Sequence, residues 1–331
     1  MSDPTPRAQA LTSVELPARI IPPPATISEA ARTALSVSAA TPPVARPAPE
    51  DLAGWRRAIA ESEAMWEPIA AAMLGGCSST VARQTLGGAT VYLCTPAGLA
   101  EPRRARAYLY FHGGAFVFGG GRFAMAFGAV QAEKLGVTVV SVDYRMPPNH
   151  PFPAAPEDGL AVYRTLLETY EPGHLAIGGS SAGGNLAAAV TLMIRDRGLP
   201  LPGAVVLLTP EVDLTEAGDT FRTNELLDVT LKRGLPQCNA LYAAGHALED
   251  PYLSPLFADF ARGFPPTLIQ SGTRDLFLSN SVLMHRKLRR AGIGAELHVW
   301  EAMPHGGFGF GPVPENEEVS EEVRRFIDRH C

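Results

Sequence analysis

From Val91 onward, short apolar runs alternate with longer amphipathic ones, and few architectures accommodate that alternation. Strands are predicted at 90–94, 106–111, 137–142, 174–178, 203–208, 266–271 and 295–300. Helical patterns lie between most of them, at 122–135, 156–169, 183–197 and 279–291. Strands linked through helices return to one sheet by right-handed crossovers. The expected class is therefore α/β, with a mostly parallel sheet covered on both faces. Reactive groups in such sheets gather in loops at the carboxyl ends of the strands. A chain of 331 residues can bury roughly 75% of its unfolded surface, so one large domain with an insertion is expected.

Three stretches depart from the alternation. Residues 1–50 hold ten of the thirty prolines. Proline fixes φ and removes a backbone donor, which argues against long helices and central strands there. The stretch reads either as a tail or as an extended arm anchored through Ile20, Ile21 and Ile27. Residues 51–74 read as a helix capped by Asp51, with Leu52, Trp55, Ile59, Trp66, Ile69 and Met73 along one stripe. Pro68 is expected to kink or divide it. The stripe either packs on the core or helps roof an acyl pocket. Residues 215–250 are less apolar and read as a largely helical lid insertion. The expected organisation is an arm or tail over 1–50 and one domain over 51–331, capped by about 51–80 and 215–250.

Composition excludes several partners. Hydrophobic residues make up 46%, charged residues 19%, and the formal net charge is −6. No basic patch for nucleic acid follows from that balance. No apolar run reaches the ~18 residues of a membrane span. The N-terminus lacks the basic start and apolar core of a secretory signal, so a cytoplasmic location is expected. Cys77, Cys94, Cys238 and Cys331 show no metal-ligand spacing and read as free thiols. No metal or cofactor is expected.

The chemistry is concentrated in four places. Gly179-Ser180-Ser181-Ala182-Gly183 fits G-x-S-x-G between a predicted strand and a long predicted helix. A tight turn there would lift the Ser181 hydroxyl to the sheet edge, and glycines two residues away on either side avoid a collision. The phosphate-loop alternative lacks the required lysine and spacing. His112-Gly113-Gly114-Ala115 follows another strand directly. The N–H groups of Gly113, Gly114 and Ala182 are the candidate oxyanion donors. A serine nucleophile needs a base, and the base needs a carboxylate to orient it. His305 lies in a loop after the last strand, whereas His285 sits in a helix, His298 in a strand and His330 at the terminus. Asp275 follows the strand before it, in Gly272-Thr273-Arg274-Asp275. Asp250 and Asp259 follow no clear strand, and Glu301 is too near His305 in sequence.

Taken together, these motifs resemble the bacterial hormone-sensitive-lipase-like esterases over about residues 85–330. His112-Gly113-Gly114-Ala115-Phe116 resembles the family's HGGG-plus-aromatic motif. Asp143-Tyr144-Arg145 through His150-Pro151-Phe152-Pro153-Ala154-Ala155 resembles its DYR…HPFPA signature, read here as loop architecture held by charge-assisted hydrogen bonds. Gly179–Gly184 resembles its GDSAGG elbow, and His305-Gly306 with Phe308 its His-Gly-Phe ending. The resemblance implies an α/β-hydrolase core with a helical cap, no cofactor, small ester substrates of short to medium chain, and a catalytic role for Asp275. Homodimers are common in the family. Three positions differ from it: Ala115 replaces the third glycine, Ser180 the aspartate before the nucleophile, and Leu276 the proline after the acid. Phe116, Phe118, Leu214 and Phe308 are candidate pocket walls. The leading expectation is serine ester hydrolysis. A lactonase, an amidase or acyltransferase with the same triad, and a non-catalytic ligand-binding scaffold are the alternatives.

Overall fold

Ala107–Phe111 (β3) and Thr267–Gly272 (β7) are buried at every position. Strands enclosed on both faces must lie inside a sheet that has a layer on each side. The computed structural model, which describes residues 13–331, has that arrangement. The other strands are Thr80–Leu86 (β1), Ala89–Thr95 (β2), Thr138–Asp143 (β4), Leu175–Ser180 (β5), Ala204–Leu208 (β6) and Ala295–Trp300 (β8). They form an eight-stranded sheet in the order β1-β2-β4-β3-β5-β6-β7-β8. The β1–β2 and β2–β4 pairs are antiparallel; the remaining pairs are parallel.

The helices are Glu29–Ala40 (α1), Leu52–Gly76 (α2), Arg122–Leu135 (α3), Ala154–Leu166 (α4), Ala182–Asp196 (α5), Thr220–Thr223 (α6), Pro236–Ala243 (α7), Leu278–Arg290 (α8) and Pro314–His330 (α9). Side chains alternate across each strand, so each sheet face has its own core. Leu109, Phe111, Val140, Ile177, Val205 and Ile269 pack with α4, α5 and α8. Tyr108, Tyr110, Val139, Ala176, Val206 and Leu268 pack with α3 and α9. A third cluster joins Trp55 of α2 to Phe118, Phe221, Leu235, Cys238, Leu276 and Phe277. It draws the start of α2 and the 215–250 insertion onto one edge of the sheet.

The structure corrects several expectations. The proline-rich stretch contains a twelve-residue helix, α1. Its prolines stop at Pro24 and resume at Pro42, and Ser28 caps the helix by accepting from the Ala31 N–H. Ala31 and Leu35 of α1 pack on Met303, Phe308 and Val313. Lys232 donates to the carbonyls of Ser38, Ala39 and Thr41 at the helix end. Of the proposed anchors, Ile27 is buried, whereas Ile20 and Ile21 are exposed. Helix α2 runs undivided through Pro68. The insertion carries only the short helices α6 and α7, connected by turns. Strand β1 and helix α9 were not anticipated. The former is an exposed edge strand with no apolar alternation.

Candidate active site

Strand β5 ends at Ser180 and α5 begins at Ala182, so Ser181 alone makes the turn. Its backbone sits at φ 59°, ψ −122°, a region costly for a residue with a Cβ. The flanking glycines are needed for space. A Cβ on Gly179 would stand 2.4 Å from the Gly183 carbonyl oxygen, and one on Gly183 would stand 2.0 Å from that of Phe111. The turn leaves Ser181 8% exposed at the carboxyl end of β5, over the N-terminus of α5.

The loop after β3 passes directly beside this elbow. A Cβ on Gly113 would lie 3.0 Å from the Ser180 carbonyl oxygen and 3.3 Å from Ser181 Cβ. Gly114 has φ 122°, and its carbonyl accepts from the Val117 and Phe118 N–H groups, which curls the loop. The N–H groups of Gly113, Gly114 and Ala182 enter no loop or turn hydrogen bond among the described residues. Behind the loop, His112 stacks on Tyr144 at 4.2 Å and pairs through Nδ1 with the Gly113 carbonyl at 2.7 Å. Burial pushes the His112 pKa down to about 4, so the ring is a neutral brace at ordinary pH.

On the other side, β7 delivers Asp275 and β8 delivers His305, both at the carboxyl edge that β5 shares. His305 Nδ1 and Asp275 Oδ1 lie 3.0 Å apart. Asp275 is fully buried; it also accepts from the Phe277 N–H at 2.9 Å and the Ser271 hydroxyl at 2.7 Å. A carboxylate so placed puts the imidazole proton on Nδ1 and leaves Nε2 as the basic nitrogen. The Phe277 ring meets His305 edge-on at 4.7 Å. Among the described residues, Ser181 and His305 are not directly hydrogen-bonded to each other; the structure joins Asp275 to His305 and sets the oxyanion loop against Ser181.

The rival groups are engaged elsewhere. Asp250 and Asp259 accept from the N–H groups two residues on, at Tyr252 and Ala261, and His298 pairs with Glu296. Of the candidate pocket walls, Phe118 lies in the cluster under α2. Phe116 stacks on Tyr242 at 4.1 Å, Leu214 is buried in the main core, and Phe308 packs under α1. In the DYR stretch, Asp143 accepts from the Gly121 N–H and Tyr92 hydroxyl, while Arg145 pairs with Asp158.

Sequence reasoning passed over three polar residues around the site. Glu211 donates its N–H to the Ser181 carbonyl at 3.3 Å, and its own carbonyl accepts from the Asn185 side chain at 2.7 Å. Its side chain is fully buried, with Oε1 held by Asn239 and Oε2 unpartnered. Burial pushes its pKa up to about 8; the bond from Asn239 opposes the shift, and Glu216 and Asp213 add to it. Asn224 and Asp228 of the insertion reach the loops of Asp275 and His305. No motif marks any of the three. Among the described residues no His, Cys, Asp and Glu cluster is arranged to hold a metal ion, and no helix is long and apolar enough to cross a membrane.

A strained serine elbow, a facing loop with free N–H groups and a carboxylate-bound histidine define the hydrolase class of α/β proteins. The model for the alpha/beta hydrolase fold matches residues 108–309, and the chain belongs to that family, among esterases resembling hormone-sensitive lipase. It is 33% identical over 242 residues to an acetyl-hydrolase of Streptomyces hygroscopicus, covering 72% of this chain and 81% of the relative. It is 30% identical over 231 residues to an esterase of Acinetobacter venetianus, covering 69% and 76%. The crystal structure of esterase E25 superposes with a TM-score of 0.90 at 35% identity, covering 96% of this chain and 99% of that one. An esterase of the bacterial hormone-sensitive lipase family gives 0.77 at 30% identity, covering 92% and 98%.

Proposed function

We propose that this carboxylic-ester hydrolase works through Ser181, His305 and Asp275 and accepts esters of short to medium acyl chain. The observation that carries the reading is the 3.0 Å contact between His305 Nδ1 and the buried Asp275 carboxylate, at the sheet edge that presents Ser181. With Nδ1–H given to Asp275, Nε2 takes the Ser181 proton as the hydroxyl oxygen attacks the ester carbonyl. Substrate binding closes the Ser181–His305 pair to hydrogen-bond distance. The negative charge that develops on the carbonyl oxygen is met by the N–H groups of Gly113, Gly114 and Ala182. Each such donor is worth roughly 10²–10³ in rate. His305 returns the proton to the leaving alcohol, leaving an acyl group on Ser181. Water, deprotonated by His305, then releases the acid and restores the serine.

The start of α2 and the insertion at 215–250 form the cap in this reading. Phe118 makes an apolar wall for the acyl or alcohol group, whereas Phe116, Leu214 and Phe308, expected as further walls, are packed inside other side-chain clusters. A homodimer and a cytoplasmic location complete the proposal; sedimentation equilibrium and cell fractionation check them.

The direct test is hydrolysis of p-nitrophenyl esters from acetate to decanoate by wild type and Ser181→Ala together. The expected result is turnover that favours the short chains and falls by ~10⁴-fold or more in the variant. Wild-type turnover in Ser181→Ala would remove the nucleophile from this reading. A folded wild type that cleaves no ester would shift the assignment to amides, lactones or ligand binding.

A further inference from the structure

The insertion places a second buried carboxylate against the two loops that carry the acid and the base. Asp228 has no solvent exposure, and its two oxygens accept four backbone N–H groups. Oδ1 takes those of Thr230 at 2.9 Å and Leu231 at 3.2 Å. Oδ2 takes those of Leu276 at 2.8 Å and His305 at 3.2 Å. One carboxylate oxygen therefore bridges the residue after Asp275 to the backbone of His305. Four residues earlier, Asn224 donates to the Asp275 carbonyl at 2.8 Å and the Thr273 carbonyl at 3.2 Å. The carbonyl of Asp275 and the N–H of Leu276 belong to one peptide unit, which the insertion thus grips from both ends.

We propose that Asp228 is a positioning residue for the esterase triad: an ionised clamp that fixes the Asp275 and His305 loops relative to each other and adds a second negative charge behind the imidazole. The inference rests on the triad reading above. The geometry requires the ionised form. Four donors occupy the acceptor positions of the two oxygens, and a carboxylic acid would turn its own proton against one of them. On balance the Asp228 pKa is raised: burial lifts it most and the Asp275 carboxylate adds to that, and His305 and the N–H groups of Leu276 and Thr230 offset only part of the rise, so the ionised form rests on the four-donor geometry. Asp275 and His305 are the charged groups acting on it. The clamp also gives a use to Leu276, where the resembled family carries proline: a proline has no N–H to give.

The charge and the clamp predict shifts of opposite sign. In Asp228→Asn the negative charge is gone and an amide N–H₂ must face backbone donors. The expected kcat falls roughly tenfold or more, KM changes little, and the acid limb of kcat/KM moves down by about half to one pH unit, because the imidazolium loses a nearby anion. In Leu276→Pro the carboxylate stays charged but loses one donor, so its charge is less compensated, it holds the imidazolium more firmly and the acid limb moves up. Rates are expressed per active site by organophosphate titration, with thermal melts reporting folding and Ser181→Ala as the control. If Asp228→Asn does not fold, the upward limb in Leu276→Pro carries the test by itself. Per-site kcat and acid limb unchanged in either folded variant would overturn the proposal. A Ser181→Ala protein that remained active would instead overturn the triad reading.

Discussion

In the mechanism proposed above, the two halves of the site are built from different materials. The nucleophile side is made of backbone: Ser181, Gly113, Gly114 and Ala182 contribute shape and N–H groups, and the neighbouring residues contribute the absence of a Cβ. The base side is made of buried side chains, with Asp275, His305, Ser271, Asn224 and Asp228 held in one hydrogen-bonded cluster. A backbone site fails when something is added to it. A side-chain site fails when a charge or a partner is removed.

Substitutions that keep volume but change charge should therefore act on one half only. Asp275→Asn is the largest of these: with the imidazole no longer held in the right tautomer, kcat should fall about 10⁴-fold, while the thermal melt stays near that of wild type. A rate within tenfold of wild type would remove Asp275 from the triad. On the other half, Gly183→Ala adds one methyl where a Cβ would stand 2.0 Å from the Phe111 carbonyl oxygen. That clash has no flexible partner to yield, and a loss of ~4 kcal/mol or more of stability is expected in denaturant titration. An unchanged unfolding midpoint would show that the elbow has room. Gly113→Ala is gentler. Its Cβ would sit 3.0 Å from the Ser180 carbonyl oxygen, so the loop shifts by a few tenths of an ångström. The expected cost is roughly 10–100-fold in kcat with the fold retained; equal rates would separate Gly113 from the oxyanion site.

A pH-dependent effect concerns Glu211, a side-chain group buried beneath the backbone half. Its folded pKa of about 8 lies above the ordinary 4.5. Between those values the folded chain holds a proton that the unfolded chain has released, so stability falls as pH rises through that window and levels off above it. Glu211→Gln removes that slope. Its melting temperature should gain on wild type steadily from about pH 5 to about pH 8. A difference that stays constant with pH would show that Glu211 does not titrate there.

The same contrast explains what could be read from the sequence. Ser181, the HGGA loop and the sheet were legible because the conformations they need admit few residue types, and those residues stand side by side in the chain. His305 and Asp275 were found by their order after strands. Asp228 was not found, since the two N–H partners that tie it to the site lie 48 and 77 positions away and its neighbours Leu227 and Val229 carry no motif. Two missed helices did carry signals. Pro314 opens α9 with Glu315 and Glu317 in its first turn, and Val319, Val323, Phe326 and Ile327 fall on one face. The α1 window is free of proline, though counting over all of residues 1–50 concealed it. Strand β1 had no such signal, because it is an edge strand with little burial to pattern its residues.

The positive φ of Ser181 has an evolutionary consequence. Glycine adopts that conformation freely, whereas serine is strained in it. Selection for a durable fold alone would favour glycine at 181, giving a sturdier protein that, on the proposed mechanism, has lost its nucleophile. A lineage that had stopped turning over substrate would be free to drift toward that sturdier state, since destabilising residues persist only where function holds them. On the proposed mechanism, the strain held at Ser181 is thus the cost of presenting the nucleophile.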